Sequence, residues 1–341
     1  MFDAKTESPR TGMIVLAFAL VYVVWGSTYL AIKFAIETLP PFLMAAMRFL
    51  AAGAVLYALV RRGGAAPTLK QWGNAAIVGG LLLLGGNGLV CWAEQSVPSG
   101  LAALLIATVP LWMVGLDSAL FRAPRPSGRV VLGIVVGLVG VAVLLNVFSV
   151  GGEKVHVGGA IALLSACVLW SLGSLISRKV DLPKSPFQAV AMEMIAGGLL
   201  LGVTGTLLGE WPRVNLDAVS LKSVLALLYL IVFGAIVALS AYVWLLRVCE
   251  PAKVATYAYV NPVIAVLLGY FFANEKIGNT TLAGAALIVF SVALVTMSAR
   301  KKAASTPPSV TESKDERVLA VPTTAPPTLA AANVVEECVS S

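Results

Sequence analysis

Four charged residues of this sequence stand where they could bind a ligand or pair with one another rather than face water. Arg48 and Glu193 lie inside long apolar runs, while Glu94 and Arg247 lie at the ends of two further runs. If these runs cross a membrane, an ionisable group at the centre of a helix costs at least about 2.5–3.5 kcal/mol on insertion scales. Each group therefore needs a partner or a wet cavity. Tethering of one helix to its neighbour is an equal alternative for Arg48 and Glu193.

An internal repeat relates these charges to one another. Residues 25–53 align with residues 170–198, and the matched positions include tryptophan, proline, phenylalanine, methionine and glycine. The alignment pairs Arg48 with Glu193, so the charge is reversed between the two copies. We interpret the chain as a duplication.

The same reversal occurs at a second position and predicts two ion pairs. Glu94 aligns with Arg247 at an offset of 153 residues. We predict that Arg48 meets Glu94 at one mouth of a pathway and that Glu193 meets Arg247 at the other, so that each pair closes one mouth. Taken singly, Glu94 and Arg247 could instead be solvated helix ends.

Aromatic and amide side chains are candidates for a substrate cavity. Trp25 and Trp170 stand about twelve or thirteen residues into their apolar runs, close to the middle of a bilayer at 1.5 Å per residue. Tryptophan is more common at membrane interfaces, and its buried N–H needs an acceptor. Core packing is an equal alternative for both residues. The third and ninth runs add four polar candidates for substrate binding: Asn87, Tyr257, Tyr259 and Asn261.

Two prolines and a glycine pattern concern how the helices bend and pack. Pro110 and Pro262 interrupt the fourth and ninth runs at equivalent places, and each frees a backbone carbonyl. They are candidate hinges, or else static kinks. Gly133, Gly137 and Gly140 in the fifth run permit close helix contact, either within the fold or in a homodimer.

The composition is that of an integral membrane protein. Hydrophobic residues make up 59% of the 341 residues, charged residues 12%, and the mean hydropathy is +0.91, whereas about a quarter of the residues of soluble domains are charged. The four cysteines have no paired spacing and His156 is the sole histidine, so no disulfide framework, metal site or cofactor is predicted. The net charge of +7 is scattered through short loops, which does not indicate nucleic-acid binding.

Ten apolar runs are long enough to cross about 30 Å of hydrocarbon as helices. They lie near residues 13–33, 41–60, 73–94, 99–121, 129–148, 157–177, 187–208, 222–246, 253–273 and 279–299. The predicted fold is an all-α integral membrane protein in five parts: a cytoplasmic N-terminus (1–12), a first five-helix repeat (13–148), a linker (149–156), a second five-helix repeat (157–299) and a disordered cytoplasmic tail (300–341).

The distribution of basic residues predicts the orientation in the membrane. The side that holds both termini has sixteen lysines and arginines, and the opposite side has five. Both termini are therefore expected in the cytoplasm. Since five helices per repeat is an odd number, the second repeat must enter from the opposite face. Inverted repeats with a substrate site near the midplane are typical of secondary transporters.

The chain resembles the drug/metabolite transporter superfamily, EamA type. The resemblance lies in the Trp-Gly-Ser sequence that begins at Trp25, in the run from Pro41 through Arg48 to Gly53, and in WAEQSVPSGLAALLIATVPLW at residues 92–112. The last segment is especially similar to bacterial metabolite exporters. The resemblance covers about residues 13–299 and implies two five-helix repeats and metabolite efflux across the inner membrane, without identifying the cargo.

The sequence therefore favours a secondary exporter of small metabolites, such as amino acids or related compounds, that works by alternating access. A multidrug or cation exporter or a facilitator is the nearest alternative. A cation-drug exporter would be expected to carry an acid in the first helix, and residues 13–32 contain none. No Walker motif is present, so ATP is not expected to drive transport. A membrane enzyme would need clustered catalytic side chains, and a channel has no need of inverted repeats. Expected partners are a small-molecule substrate and the lipid bilayer, and the glycine pattern of the fifth run also allows a homodimer.

Overall fold

Ten long helices, and no strand, are found in the part of the chain that the structure describes. The computed structural model describes residues 11–61, 66–121, 128–144, 156–249, 254, 257–275 and 277–304. In chain order the helices are α1 (Thr11–Ala35), α2 (Pro41–Val60), α3 (Leu69–Ala93), α4 (Ser99–Leu120), α5 (Gly128–Leu144), α6 (Val157–Ser177), α7 (Pro186–Leu207), α8 (Leu221–Val248), α9 (Tyr257–Ala273) and α10 (Asn279–Ala304).

Seven of these helices, α1 to α4 and α6 to α8, are long and apolar enough to cross a membrane. The other three contain shorter apolar stretches, at Val131–Val143, Val260–Ala273 and Asn279–Ser291. Large apolar side chains such as Val23, Leu59 and Val203 are exposed on the outer helix faces. Exposed apolar side chains are expected where the surrounding solvent is lipid hydrocarbon. A helix is also favourable there, because it satisfies its own backbone hydrogen bonds.

The helix boundaries differ from the predicted ones mainly at the end of the chain. The last helix reaches Ala304, so residues 300–304, predicted to begin the tail, are helical. The rest of the tail, the first ten residues and residues 149–155 of the linker lie outside the described part.

Local signals in the sequence explain where several helices begin. Proline occupies the first position of α2 and of α7, where its missing N–H removes no helical hydrogen bond. Thr68 and Gln71 form a reciprocal capping box at the start of α3. His156 caps α6, since its Nδ1 accepts a hydrogen bond from the backbone N–H of Gly159 at 3.1 Å.

Helices with equivalent positions in the two halves pack on each other. The second helices, α2 and α7, contact each other along much of their length, and so do the fifth helices, α5 and α10. At the α2–α7 contact a Cβ on Gly53 would lie 2.9 Å from the side chain of Ile195, and one on Gly198 would lie 2.9 Å from Leu50. Two small residues therefore bring these helices close together.

The glycine pattern of α5 is used inside the fold. Ser291 of α10 donates a hydrogen bond to the carbonyl of Gly133 at 2.6 Å. A Cβ on Gly140 would approach Leu287 to 2.9 Å and Ile288 to 3.0 Å. Of the two uses left open by the sequence, packing within the chain is the one observed.

Irregular helix geometry lies at matching places in α3 and α8. Gly80–Gly88 and Leu230–Leu239 are π-helical, and the two segments begin 150 residues apart. Such segments are rare and occur frequently at functional sites. They widen the helix and turn its side chains relative to a regular α-helix.

The two predicted proline breaks are not alike. In α4 the helix stops at Ile106 and restarts at Val109, next to Pro110. The carbonyl of Leu105 accepts a hydrogen bond from the Thr108 hydroxyl at 2.8 Å, which satisfies part of the interrupted backbone. In contrast, α9 runs through Pro262 without a break. A hinge at either proline stays a prediction.

Candidate functional site

A cavity lies among helices from both halves of the chain. It encloses about 650 Å³ of space, including the part that opens to the outside. Its walls come from α1 to α4 and from α6, α8 and α9. The lining residues are Trp25, Thr28, Tyr29, Ile32, Arg48, Phe49, Leu83, Gly86, Asn87, Val90, Ile106, Val109, Ala166, Trp170, Gly234, Leu239, Tyr257 and Asn261. Both π-helical segments contribute to this wall.

Aromatic rings form one side of the cavity. The rings of Trp25 and Trp170 meet edge to face with centroids 5.5 Å apart, and Trp25 meets Tyr257 in the same manner at 5.2 Å. Tyr242 stands behind them, 4.9 Å from Trp25 and 5.6 Å from Trp170. Edge-to-face and tilted contacts at these distances are favourable because they place ring edges against ring faces.

Both indole N–H groups in this cluster have acceptors. Trp25 Nε1 donates to the carbonyl of Gly234 at 3.3 Å, and Trp170 Nε1 donates to Tyr242 Oη at 3.2 Å. Tyr242 Oη also lies 2.8 Å from Ser174 Oγ. The tryptophan rings are thus held in fixed orientations, Trp25 by a backbone carbonyl of the cavity wall and Trp170 by a tyrosine behind it.

Among the described residues that line the cavity, Arg48 is the one with a charged side chain. Its side chain is 2% exposed. Nη1 donates a weak hydrogen bond to Asn87 Oδ1 at 3.4 Å, and the guanidinium lies 4.7 Å from the Phe49 ring centroid. Its Nε atom has no hydrogen-bond partner within the described residues.

The structure brings together most of the residues predicted to bind substrate. Trp25, Asn87, Trp170, Tyr257 and Asn261 all line the cavity. In the amide orientation that satisfies its surroundings, Asn261 donates to the carbonyls of Tyr22 and Tyr257. The side chain of Tyr259 lies outside the described part of the structure, although its backbone belongs to α9.

The predicted pair of Arg48 with Glu94 is not formed in this conformation. The only ion pairs among the described residues are Lys33 with Glu275 and Lys222 with Glu37. Arg48 turns toward Asn87 and the cavity, while Glu94, which is buried just after α3, has no hydrogen bond on either carboxylate oxygen within the described part.

The predicted pair of Glu193 with Arg247 is not formed either. Arg247 instead donates to the carbonyls of Lys184 at 2.6 Å and Pro183 at 3.2 Å. Glu193 is buried in α7, and neither of its carboxylate oxygens has a hydrogen bond among the described residues. It does not line the cavity, so the symmetry of the sequence alignment does not extend to the surroundings of these side chains.

A different acidic residue ties the two halves together. Glu275 follows α9, where Asn274 adopts a left-handed backbone (φ 52°) and ends the helix. Its carboxylate accepts hydrogen bonds from Lys33 Nζ of α1 at 2.6 Å, from the backbone N–H and hydroxyl of Ser99 at 2.7 and 2.8 Å, and from the N–H of Gly100 at 3.0 Å. One carboxylate therefore joins α1, the start of α4 and the α9–α10 connection.

The electrostatics of this junction favour the charged form of Glu275. Burial alone would raise its pKa, but the hydrogen bonds from Lys33, Gly100 and Ser99 outweigh burial and hold the pKa below its ordinary value. Its position at the first residues of α4 adds the favourable field of a helix N-terminus. We call the group Lys33, Ser99, Gly100 and Glu275 the Glu275 junction.

Sequence reasoning missed several of these residues. Lys33 is one of the five basic residues on the side opposite the termini, and nothing in the sequence indicates the partners of Glu275. A polar residue next to a proline at the start of α4 was a usable signal, since Ser99 begins a helix whose N–H groups need an acceptor. Tyr242 had no comparable signal. Within the described residues no cluster of His, Cys, Asp or Glu is placed to hold a metal ion.

Comparison with protein families gives two matches along the chain. The pattern of the EamA-like transporter family fits residues 12–146 and, a second time, residues 157–297. The two matches leave out residues 1–11, 147–156 and 298–341.

Curated relatives and a solved structure are similar over most of the chain. The uncharacterized inner membrane transporter YedA of Escherichia coli K12 is 43% identical over 283 residues, which cover 82% of this chain and 89% of YedA. A probable amino-acid metabolite efflux pump of Salmonella typhimurium is 27% identical and covers 83% of this chain and 93% of its own length. One crystal structure matches with a TM-score of 0.59 at 24% identity, over 85% of this chain and 99% of its own, which shows the fold alone.

Proposed function

Because this chain belongs to the EamA-like transporter family, we propose that it exports small metabolites, such as amino acids or related compounds, by alternating access. One observation carries the proposal: the cavity is lined by aromatic, amide and guanidinium groups that come from both halves of the chain. A binding site at the interface of two repeats can be exposed to either side when one repeat moves against the other.

The proposed architecture is ten membrane helices in two inverted five-helix repeats. It is supported by the double family match, by the contacts of α2 with α7 and α5 with α10, and by π-helical segments that begin 150 residues apart. The excess of lysine and arginine on one side supports cytoplasmic termini.

The proposed location is the cell inner membrane. It is supported by the name of YedA as an inner membrane transporter and by the seven long apolar helices of this chain. The proposed direction and cargo class are supported by the name of the Salmonella relative, an amino-acid metabolite efflux pump.

The charge of the cavity favours a metabolite exporter over a cation exporter. A site for organic cations would be expected to contain an acidic side chain, since a desolvated cation needs a counter-charge. Within the part of the chain that the structure describes, the residues that line this cavity include arginine and no aspartate or glutamate.

Transport by purified protein in proteoliposomes tests the proposal. Vesicles containing the full chain are loaded with a mixture of amino acids, and efflux is followed with and without an imposed pH gradient. We expect protein-dependent efflux of at least one compound, with Trp25→Ala lowering the rate about tenfold or more, because about 1.4 kcal/mol of lost binding is a tenfold effect. The matched control is Trp92→Ala, since Trp92 is partly exposed and outside the cavity.

Two results would contradict the proposal. Efflux equal to that of protein-free vesicles for every compound would exclude this cargo class. Equal losses in efflux rate for Trp25→Ala and Trp92→Ala, in vesicles with matched protein content, would show that the cavity is not part of the transport pathway.

A further inference from the structure

Arg48 lies in the cavity wall, and no acidic partner for it is found among the described residues. No carboxylate lies within 4.0 Å of its guanidinium among the described residues, and its contacts are a 3.4 Å hydrogen bond to Asn87, a phenylalanine ring and a buried Nε without a partner. A buried cation in a membrane is unfavourable unless something compensates it. The space next to Arg48 is the cavity itself, so a compensating anion can come from the cargo.

The surrounding helices leave room for the guanidinium. A Cβ on Gly234, in the π-helical segment of α8, would lie 2.8 Å from Arg48 Nη2. The carbonyl of the same residue accepts the hydrogen bond from Trp25. Because Gly234 has no side chain, α8 can contact both the Arg48 guanidinium of α2 and the Trp25 ring of α1 at one residue.

Asn87 supplies a second donor beside the guanidinium. It lies in the π-helical segment of α3, and its Oδ1 accepts from Arg48 Nη1 and from the Cys91 thiol. These two bonds orient the amide so that its Nδ2 group, which donates to no atom of the described residues, remains available. An arginine fork and an amide N–H are a common donor set for a carboxylate.

We propose that Arg48 and Asn87 form a carboxylate subsite, and that the rings of Trp25, Trp170 and Tyr257 hold the apolar or aromatic body of the same molecule. The inference rests on the proposed transport function and names its substrate class as amphipathic monocarboxylates, including amino acids. A single arginine in a mostly apolar wall matches one negative charge. A phosphate group carries more charge and would need more donors than this wall provides.

Binding of two probes of equal size tests the subsite in the full-length protein purified in detergent. 3-Phenylpropionate carries a carboxylate, whereas 3-phenylpropionamide is its neutral counterpart. We expect calorimetry to give at least about tenfold tighter binding of the carboxylate, because hydrogen bonds to charged groups are about twice as strong as neutral ones. Arg48→Gln should weaken the carboxylate by about 10- to 100-fold and change the amide by less than about twofold.

Asn87→Asp provides a second variant that keeps Arg48. The new carboxylate stands where Oδ1 now lies, 3.4 Å from Arg48 Nη1, so it neutralises the cation without leaving it unpaired. We expect the preference for 3-phenylpropionate to disappear. The matched control is Thr28→Val, which changes the cavity wall without changing its charge and should alter both affinities by the same factor.

The outcomes separate this inference from the transport proposal. Equal binding of both probes by the unaltered protein, binding of neither, or an unchanged preference in both Arg48→Gln and Asn87→Asp would overturn the carboxylate subsite. Each of these results leaves the efflux test with Trp25→Ala unaffected. Efflux that fails while the carboxylate preference holds would instead refute the transport proposal.

Discussion

The Glu275 junction should contribute more to stability than any surface ion pair of this protein. The carboxylate is 8% exposed and accepts four hydrogen bonds, one from an ammonium group and two from the first N–H groups of α4. Glu275→Gln keeps one oxygen acceptor but removes the charge and sets an NH₂ group against donors. Since hydrogen bonds to charged groups contribute about 1.5–3 kcal/mol each, we expect a loss of about 2–3 kcal/mol in the free energy of unfolding.

A matched control lies in the exposed pair of Glu37 and Lys222, whose side chains are 40% and 50% exposed. Glu37→Gln should cost about 0.2–1 kcal/mol, the usual range for a solvated pair. Both variants can be compared with the parent by reversible unfolding of the full chain in mixed micelles at increasing fractions of sodium dodecyl sulfate. Circular dichroism then gives the free energy of unfolding.

A double-mutant cycle assigns the loss to the contact itself. Glu275→Gln and Lys33→Gln, measured singly and together, should show a coupling energy of about 1–2 kcal/mol, because the two side chains share one bond at 2.6 Å. Additive effects, or a Glu275→Gln loss no larger than that of Glu37→Gln, would refute the reasoning that this carboxylate ties α1, α4 and the α9–α10 connection together.

Three further predictions concern pH, packing and topology. The pKa of Glu275 is lower in the folded protein than in the unfolded chain. The stabilisation by its carboxylate is therefore present above the unfolded pKa of about 4.3 and is lost as pH falls through the folded pKa. The difference in unfolding free energy between the parent and Glu275→Gln should stay constant from about pH 5 to 8 and shrink below about pH 4. Gly140→Ala should cost about 1–3 kcal/mol through overpacking against α10, whereas Gly128→Ala, which meets no atom within 4 Å, should be neutral in the same unfolding assay. Cysteine labelling from the two sides should place residues 61–72 and the C-terminal segment in the cytoplasm and residues 149–156 outside, and an external C-terminal segment would contradict the charge count.

The sequence by itself indicated the fold class, the positions of the helices and several of the residues that line the cavity. The reason is the solvent in which the helices lie. A hydrocarbon solvent requires long apolar helices, so the spans are visible as runs of composition. The internal repeat aligns Trp25 with Trp170 and so identifies both as candidates, and their rings contact each other in the cavity. Polar groups in apolar runs are rare, which is why Asn87 and Asn261 could be picked out individually.

The partners of the charged groups were decided by tertiary structure alone. The charge reversal between the repeats predicted ion pairs of Arg48 with Glu94 and of Glu193 with Arg247. A side chain, however, interacts with the atoms within a few ångströms of it, whatever the symmetry of its helix. Arg247 donates hydrogen bonds to two backbone carbonyls at 2.6 and 3.2 Å. The guanidinium of Arg48 lies next to Gly234, which has no side chain. The π-helical segments changed the helix register in α3 and α8, which no periodicity in the sequence indicated.

The Glu275 junction shows most clearly what the sequence could not contain. Lys33 and Glu275 are separated by 242 residues, and each is an ordinary helix-end charge when considered by itself. Only the packing of α1, α4 and α9 brings an ammonium group, two unsatisfied helix N–H groups and a carboxylate to one point. The sequence determines which groups must avoid lipid, because that depends on each residue alone; the three-dimensional arrangement determines which partner each group finds, because that depends on distances between segments far apart in the chain.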